Sequence, residues 1–318
     1  MQEKVLSEIS VVIPTRNREA DLEMCIESLI AQTCPPHEII VIDDCSSDNT
    51  PIVCRKYNVK LVRNHRRMRQ SYGKNVGIKK STGRLVAFID DDCVAQRSWL
   101  EELSEALKND QDIGIVGGRI ANISKGLSNA EKVENSAIAR ILIRLFYLRS
   151  NKTGRLYING EEDSNFDSCY EGEVDFVGAG NMLIDKTKVD VLFDEELKGN
   201  CRYEEFDFCH RAKIKSEIKI FFTPKAVVCH KSSEKSRVNT FEDLYFRKRN
   251  RIYLIFKNRI PFSGVLNFLS FALTQIIDVF AYIILCMKDR RYFNAILGKR
   301  DGLTDYFGES ESRTYKSW

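Results

Sequence analysis

Residues 85–92 read LVAFIDDD, a run of apolar residues that ends in three aspartates. An unbroken apolar run of this length is typical of a strand that is buried on both faces of a sheet. Similar runs occur earlier, and we predict strands at 9–13, 38–42, 59–63 and 85–89. Apolar residues at helical spacing lie near 18–32, 47–56, 70–81 and 97–108. This alternation predicts an α/β fold in which helices flank a mostly parallel, Rossmann-like sheet.

The rest of the chain is less regular. We predict further strands at 113–117, 156–158, 174–177, 218–222 and 227–229, and further helices at 129–148 and 204–215. The composition changes near residue 236, where a basic segment is followed by an apolar one. We therefore expect one main domain over 1–236, with halves at about 1–118 and 119–236, and a C-terminal basic and apolar helical region over 237–318.

The bulk composition excludes several classes of protein. A chain of 318 residues suits one large domain, or one domain with an appendage. The formal net charge of +4 is too small to indicate a nucleic-acid partner. The ten cysteines are scattered, with neither a CxxC pair nor zinc-type spacing, which is typical of reduced cysteines in the cytosol. Residues 1–10 contain no apolar signal-peptide segment, so we expect a cytoplasmic protein.

Polar residues directly follow three of the predicted strands, at 14–17, 43–48 and 90–92. Open α/β sheets bind ligands beyond the carboxyl ends of their strands, so these residues are candidates for a binding site. Asp48 by itself is better explained as a cap of the following helix, because Asp is a preferred capping residue.

The three aspartates at 90–92 have a different explanation. Adjacent carboxylates at the end of a buried strand repel one another unless a cation or hydrogen-bond donors offset their charge. Hard divalent cations prefer oxygen ligands, and Mg²⁺ typically combines a few carboxylates with substrate phosphates. The sequence therefore predicts a site for Mg²⁺ or Mn²⁺ that could hold a nucleotide diphosphate.

Four motifs, in this order and spacing, resemble family-2 glycosyltransferases with the GT-A fold. They are VVIPTRN at 11–17, IDDCSSD at 42–48, GKNVG at 73–77 and FIDDD at 88–92. The resemblance continues more loosely through 178–182, 204–207 and 228–230. It implies that residues 1–118 form a nucleotide half and residues 119–236 an acceptor half.

The resemblance implies a donor site made of Pro14, Thr15, Arg16, Asn17, Asp43, Asp44, Lys74, Asp90 and Asp91. By this comparison, residues 14–17 line the nucleotide pocket, and Asp44 contacts the base with Asp43 beside it. Lys74 takes a place where the family often has Arg, near the donor phosphates. Asp90 or Asp91 touches the ribose.

The resemblance also implies a metal site and an acceptor side. Asp92 would hold the metal, with Asp90 and His230 as further ligands, and histidine is a common metal ligand. The turn formed by Gly178, Ala179, Gly180 and Asn181 would face the sugar and the acceptor.

The catalytic base is implied within an acidic cluster. The family commonly carries a Glu-Asp pair there, whereas this chain has Glu204-Glu205. The resemblance places the base at Glu205, and the departure leaves Glu204 and Asp207 as alternatives.

The implied activity is inverting transfer of a sugar from a nucleotide-diphosphate sugar to a hydroxyl acceptor, with an envelope glycan or a lipid-linked glycan as the acceptor. Two rivals stay open: a nucleotidyltransferase of similar fold, and an inactive scaffold that docks at membranes. The first would need a Gly-rich basic loop soon after the first strand, and residues 14–21 contain no glycine. The second would have lost its acidic groups, and both clusters are intact.

The apolar segment 262–287 is long enough to span a bilayer. However, Asn267, Ser270, Thr274 and Asp278 recur along one helical stripe, and a charged residue in a lone spanning helix is costly. Basic residues flank both ends, so the positive-inside rule gives no orientation. We expect an in-plane anchor or a re-entrant hairpin at a membrane surface. The alternative is a helix that packs on the main domain or on a partner in a homo-oligomer.

Overall fold

The first half of the chain forms parallel strands that are joined by helices. A computed structural model describes residues 8–122, 153–156, 162–231, 240–259, 265–287 and 289–314. The strands are β1 (Ile9–Thr15), β2 (Glu38–Asp43), β3 (Lys60–Arg63) and β4 (Leu85–Ile89), and the helices are α1 (Glu19–Ile30), α2 (Thr50–Lys56) and α3 (Arg69–Lys80). The strands lie in the order β3-β2-β1-β4, and each neighbouring pair is parallel. The predictions for this half are confirmed, with ends that differ by a few residues.

The second half of the sheet mixes strand directions. Its elements are β5 (Cys93–Ala95), α4 (Trp99–Lys108), β6 (Ile113–Asn122), β7 (Arg155–Leu156), β8 (Glu162–Asp163), β9 (Gly172–Val174), β10 (Asn181–Asp185), α5 (Glu204–Lys215) and β11 (Lys219–His230). The main sheet continues in the order β4-β10-β6-β11-β5, and β9 also pairs with β11. Because β10 runs antiparallel to both β4 and β6, the sheet is parallel in its first half and mixed in its second.

Several predicted elements of this half differ from the structure. The sequence does not predict β5 or β10. The predicted strands at 218–222 and 227–229 form one strand, β11, whose register against β6 shifts between Thr223 and Val227. The predicted strand at 156–158 overlaps β7 at Leu156, and its other residues lie outside the described ranges. The predicted helix at 129–148 also lies outside them.

Both faces of the sheet are covered. Along β1, Val11 and Ile13 pack into a core with α1 and α4, whereas Val12 packs into a second core with α5. Helix α3 approaches β1 very closely, because a Cβ on Gly77 would lie 2.3 Å from a methyl carbon of Val12. The glycine therefore fixes the position of α3 above the sheet, which brings the start of α3 to the carboxyl ends of β1, β2 and β4.

The C-terminal region consists of helices. They are α6 (Thr240–Lys257), α7 (Val265–Cys286) and α8 (Phe293–Thr314), with a 3-10 turn at Arg290–Tyr292. Helix α7 lies within the predicted apolar segment. Within the described ranges, no helix combines the length and the apolar character that crossing a membrane requires.

The polar stripe of α7 faces the other C-terminal helices. The Asp278 carboxylate lies 3.1 Å from the Lys248 ammonium on α6 and 2.6 Å from the Lys299 ammonium on α8. Thr274 is buried on the same side. Thr274 and Asp278, the two described residues of the polar stripe, therefore pack within the protein. The side chains of Asn267 and Ser270 are not among those described.

Candidate active site

Strand β11 brings a histidine to the aspartates that follow β4. Because β11 pairs antiparallel with β5, His230 lies opposite Cys93, the residue that directly follows the triplet. The His230 Nε2 atom lies 3.1 Å from Asp92 Oδ1. The backbone N–H of Lys231 donates to the Asp92 carbonyl, which fixes this alignment. The two residues are distant in sequence, and only the strand pairing makes them neighbours.

The residues that could hold a metal ion form one cluster. One donor atom from each of Asp90, Asp92, Cys93 and His230 lies within 4.8 Å of all the others. Carboxylate oxygens suit Mg²⁺ and Mn²⁺, and an imidazole nitrogen is a common additional ligand for transition metals. The donor set therefore fits a divalent cation. All of the metal ligands expected from the sequence lie in this cluster, together with Cys93, which sequence reasoning missed although it adjoins the triplet.

Asp91 is not one of the four residues of this cluster. Thr15 Oγ1 donates to Asp91 Oδ2 at 2.7 Å, and Arg18 Nη1 donates to Asp91 Oδ1 at 2.9 Å. Burial raises the pKa of Asp91 to about 6, although Arg18 and Thr15 both favour the ionised form. Both oxygens of Asp91 therefore accept hydrogen bonds within the protein, and contact of Asp90 or Asp91 with the ribose stays a prediction.

Arg18 is a site residue that sequence reasoning did not single out. Its Nη1 atom lies 2.9 Å from Asp91 Oδ1 and 3.3 Å from Asp92 Oδ2, so one guanidinium group offsets both carboxylates. Its position in the sequence could have indicated this role, because Arg18 directly follows the motif at 14–17 and precedes the start of α1.

The loops after β1 and β2 are joined by hydrogen bonds. The Asn17 side-chain oxygen accepts from Ser47 N at 2.7 Å, and Asn17 N donates to Ser46 Oγ at 2.9 Å. Asp43 is fully buried and accepts from Ser46 N at 2.7 Å, so it shapes the turn from beneath. These contacts hold the two strand exits at one edge of the sheet. Asp43 is therefore a buried residue that supports the turn, and its side chain is not exposed to solvent.

Asp48 has the capping role that the sequence favours. Its Oδ2 atom accepts from the backbone N–H of Glu19 at the start of α1, at 3.0 Å. Its Oδ1 atom accepts from Thr50 N at 3.1 Å and Thr50 Oγ1 at 2.7 Å, at the start of α2.

Asp44 holds the segment between β3 and α3. Its carboxylate accepts from the Asn64 side chain at 3.0 Å, from Met68 N at 2.7 Å and from Arg69 N at 3.0 Å. The sequence predicts that Asp44 contacts the base of the nucleotide. In the structure, the same carboxylate holds the backbone of residues 64–69 in place.

Lys74 lies in a buried ion pair. Its ammonium contacts the Glu204 carboxylate, and Ser71 Oγ donates to the other oxygen of Glu204 at 2.8 Å. Burial disfavours the ammonium, but the Glu204 and Asp90 carboxylates raise the pKa of Lys74 overall. Only 1% of the Lys74 side chain is exposed, so Lys74 underlies the site and ties α3 to α5. That Lys74 lies near the donor phosphates stays a prediction.

Glu205, in the first turn of α5, has a raised pKa. Burial, followed by the neighbouring Glu204 charge, raises the pKa of Glu205 to about 7. The charges of Lys74 and Arg202 oppose this rise. A carboxylate with a pKa near neutrality is suited to proton transfer at physiological pH.

Asp207 does not face the site. It is fully buried, accepts from Arg211 Nε at 2.7 Å within α5, and accepts from the Asn258 side chain at 3.0 Å. Because side chains on successive helix residues point in different directions, Asp207 fastens α5 to the end of α6 while Glu205 lies elsewhere on the helix. These bonds give Asp207 a structural role, and the choice of the base among Glu204, Glu205 and Asp207 stays a prediction.

The turn at 178–181 packs under Asp90. A Cβ on Gly180 would lie 2.5 Å from Asp90 Oδ2, so only glycine leaves room for this carboxylate. Gln70 Nε2 donates to Asp90 Oδ1 at 3.2 Å from the opposite side. Gly178 packs against Ile120 and Phe166 in a similar way.

Asn181 joins several elements of the fold, and the place of the 178–181 turn at the sugar and the acceptor stays a prediction. Asn181 is fully buried, and its side-chain oxygen accepts from Trp99 Nε1 at 2.8 Å. Its amide nitrogen donates to the carbonyls of Arg119 and Ala226, at 3.0 Å and 2.9 Å. These three bonds tie β10 to α4, β6 and β11.

Solved structures share this fold. A mannosyltransferase from Pyrobaculum calidifontis, PcManGT, in complex with GDP-Man and Mn²⁺, matches with a TM-score of 0.56 and 12% identity, over 94% of this chain and 87% of that one. TarS of Staphylococcus aureus matches with a TM-score of 0.55 and 18% identity, over 93% of this chain and 80% of that one. At these identities the likeness establishes the GT-A fold.

Curated relatives match the first part of the chain. AglE, a glycosyltransferase of Haloferax volcanii, is 28% identical over 119 residues, which cover 35% of this chain and 39% of AglE. WfgD of Escherichia coli, named as a UDP-Glc:α-D-GlcNAc-diphosphoundecaprenol β-1,3-glucosyltransferase, is 31% identical over 134 residues, which cover 41% of this chain and 48% of WfgD. The chain thus spans less than half the length of either relative.

The family model described as glycosyl transferase family 2 matches residues 10–166, which include the motifs after β1, β2 and β4 and the aspartate cluster. The relatives and the fold agree with this match. Residues 10–166, just under half of the chain, therefore match glycosyl transferase family 2.

Proposed function

We propose that this chain is an inverting glycosyltransferase that moves a sugar from a nucleotide-diphosphate sugar to a hydroxyl acceptor with the help of a divalent metal. One observation supports the proposal. Strand β11 brings His230 to Asp90 and Asp92 at the end of β4, and the buried Lys74 feels the charges of both Asp90 and the acidic residues Glu204 and Glu205 at the start of α5. Charge-stabilising groups and a base of near-neutral pKa thus flank one edge of the sheet, where open α/β sheets bind ligands.

In this proposal, Glu205 is the catalytic base. As the acceptor hydroxyl attacks the anomeric carbon, the new C–O bond forms while the bond to the nucleotide diphosphate breaks, and the proton passes to the Glu205 carboxylate. A single displacement of this kind inverts the anomeric configuration and needs no covalent enzyme intermediate. Glu204 and Lys74 act as positioning residues, since their buried ion pair joins α3 to the first turn of α5.

Asp92 and His230, with Asp90, would hold the metal ion. When bound there, a divalent cation offsets the negative charge of the nucleotide diphosphate leaving group. Arg18 keeps the Asp91 and Asp92 carboxylates together beneath the site. Residues 14–17 would line the donor side, where Asp44 would contact the nucleotide base and Asp90 the ribose.

The substrate classes come from the similar proteins. Solved structures of similar fold contain UDP-GlcNAc in TarS and GDP-Man with Mn²⁺ in PcManGT, which supports a nucleotide-diphosphate sugar as the donor. WfgD is named for a diphosphoundecaprenol acceptor, and a glucuronosyltransferase of Haloferax volcanii, 31% identical over 118 residues, is named for a dolichyl phosphate. These names support a lipid-linked glycan acceptor. We place its use at the cytoplasmic face of a membrane as part of the proposal.

The test measures metal-dependent donor binding and the leaving group. We expect UDP-sugars or GDP-sugars to raise the melting temperature in the presence of Mn²⁺ and to lose this effect with EDTA. Asp92→Asn should abolish the metal-dependent part, whereas Asp190→Asn, a control at a side chain that is 92% exposed, should keep it. During turnover a glycosyltransferase releases a nucleoside diphosphate. Release of pyrophosphate would point instead to a nucleotidyltransferase, and equal binding by the Asp92 variant would remove Asp92 from the site.

A further inference from the structure

Helix α7 presents one set of apolar residues to solvent and its charged residue to the protein. Its exposed large apolar side chains are Phe268, Leu269, Leu273, Ile276, Phe280, Ile283 and Ile284, and Met287 follows at its end. At 3.6 residues per turn, the positions from 269 to 287 fall within an arc of about 100°, which Phe268 widens to about 160°, and they extend for about 27 Å along the helix. Asp278 lies on the opposite side, where Lys248 and Lys299 hold it. The exposed surface of α7 is therefore a continuous apolar stripe.

The stripe ends in basic residues. Arg259 is exposed shortly before α7, and Arg290 and Arg291 are exposed shortly after it. Asp289, the acidic residue near this end, pairs with Arg291 at 2.7 Å. An apolar face between two basic ends matches the interface of an anionic bilayer, where apolar side chains reach the acyl boundary and arginines meet the headgroups.

The arginines at the ends of the apolar stripe argue against a second copy of this chain as the partner that covers it. In an antiparallel pair of α7 helices, Arg259 of one copy would approach Arg290 and Arg291 of the other, and in a parallel pair each arginine would approach its equivalent. Both arrangements bring like charges together, which disfavours association. Lipid phosphates carry the opposite charge to these arginines, so a lipid surface brings no such repulsion.

The stripe is joined to the proposed active site through α6. The Asn250 side-chain amide donates to the carbonyls of Lys198 and Arg202, at 3.0 Å and 3.4 Å, just before α5 begins. Asn258 donates to Asp207 within α5. Since α6 also carries Lys248, which binds Asp278, one helix connects the apolar stripe to the start of the helix that carries Glu205.

We propose that the apolar stripe of α7, with Arg259, Arg290 and Arg291 at its ends, docks in the plane of an anionic lipid bilayer. The bilayer holds α7 parallel to its surface and, through α6, sets the orientation of the edge of the sheet where the acceptor would bind. This inference goes beyond the transfer chemistry, since the lipid contact requires neither donor nor metal.

The experiment is co-sedimentation of the full chain, without donor or metal, with vesicles of equal parts phosphatidylglycerol and phosphatidylcholine. We expect the wild type to sediment with them and to bind pure phosphatidylcholine vesicles more weakly. The double substitution Ile276→Glu with Ile284→Glu should lower the partition coefficient on the order of 100-fold, because it puts two charges into the apolar stripe. The matched control is Ile52→Glu with Ile214→Glu, which replaces isoleucines of similar exposure on α2 and α5 and should bind as the wild type does.

A conservative variant guards against misfolding. Phe280→Trp keeps the stripe apolar, and we expect its fluorescence to shift to shorter wavelength and to be quenched by brominated lipids when anionic vesicles are added. The proposal is overturned if the wild type stays in the supernatant, or if the glutamate variant sediments as its control does. It is also overturned if the wild type is a dimer that binds no vesicles and the glutamate variant is a monomer. Loss of donor binding with vesicle binding intact would count against the proposed function alone.

Discussion

Replacement of Glu205 by Gln tests whether Glu205, and not Glu204 or Asp207, is the catalytic base. We expect this variant to lose activity and to gain stability. Burial raises the pKa of Glu205 from 4.5 to about 7. The native state therefore binds more protons than the unfolded state between these two values. The free energy of unfolding falls as the pH rises through this window, and the loss is complete above about pH 7.

The size of this loss follows from the same pKa. One pKa unit corresponds to about 1.4 kcal/mol, so the ionised Glu205 carboxylate destabilises the native state by about 2 to 3 kcal/mol at pH 8, after allowance for its partial exposure. Glutamine keeps the size of the side chain and cannot ionise. We expect Glu205→Gln to be more stable than the wild type by this amount at pH 8, and equally stable near pH 4. Urea unfolding at both pH values measures the difference.

Activity should change in the other direction. Loss of a general base lowers the catalytic rate by about 10²–10⁴-fold, and donor binding should hardly change because the base contacts the acceptor. In the wild type, kcat/KM should rise with pH up to about 7 and then level off, as Glu205 ionises. The initial rate of nucleoside diphosphate release, measured against pH, tests both expectations.

The neighbouring acids provide the controls. Glu204→Gln removes the partner of the buried Lys74 ammonium, so it should destabilise the protein by about 3 to 5 kcal/mol. Asp207→Asn should also destabilise it, through Arg211 and Asn258, and should retain activity in the folded fraction. The reasoning fails if Glu205→Gln keeps near wild-type turnover, or if it is less stable than the wild type at pH 8.

Three further predictions concern residues around the site. Gly180→Ala places a methyl group 2.5 Å from Asp90 Oδ2 and should lower metal-dependent donor binding at least several-fold in calorimetry. The control Gly73→Ala, whose nearest contact would be 3.5 Å, should bind the donor normally, and equal affinities of the two variants would show that Asp90 need not stay in place. Arg18→Met leaves Asp91 and Asp92 without their shared guanidinium and should cost about 3 kcal/mol in urea unfolding, part of which added Mn²⁺ restores; an unchanged unfolding midpoint would contradict this role. Asp44→Ala releases the segment at 64–69 and should raise the donor KM with little change in kcat, and an unchanged donor affinity would remove Asp44 from the pocket.

The strands of the first half were predictable because each is a short apolar run buried on both faces, which leaves a clear local pattern. The start of α5 at Glu204 was predictable for a similar reason, since acidic residues favour the first turn of a helix. Strand β10 was missed because its sequence, NMLID, follows a glycine-rich turn and has no pattern that distinguishes it from a buried loop. Strand β5 is only three residues long and is stabilised by its pairing with β11.

The sequence by itself determined which chemical groups lie at the ends of β1, β2 and β4, because parallel strands place their carboxyl ends at one edge of the sheet. Only the tertiary structure decided which of these groups face the site. Asp91 turns toward Arg18, Lys74 is buried against Glu204, and Asp207 fastens α5 to α6, although each had the residue type and position of a site residue. His230 reaches Asp92 through a strand pairing that no local pattern encodes. The physical reason is that a side chain's direction depends on the partners available in three dimensions, whereas the sequence specifies only its place along the chain.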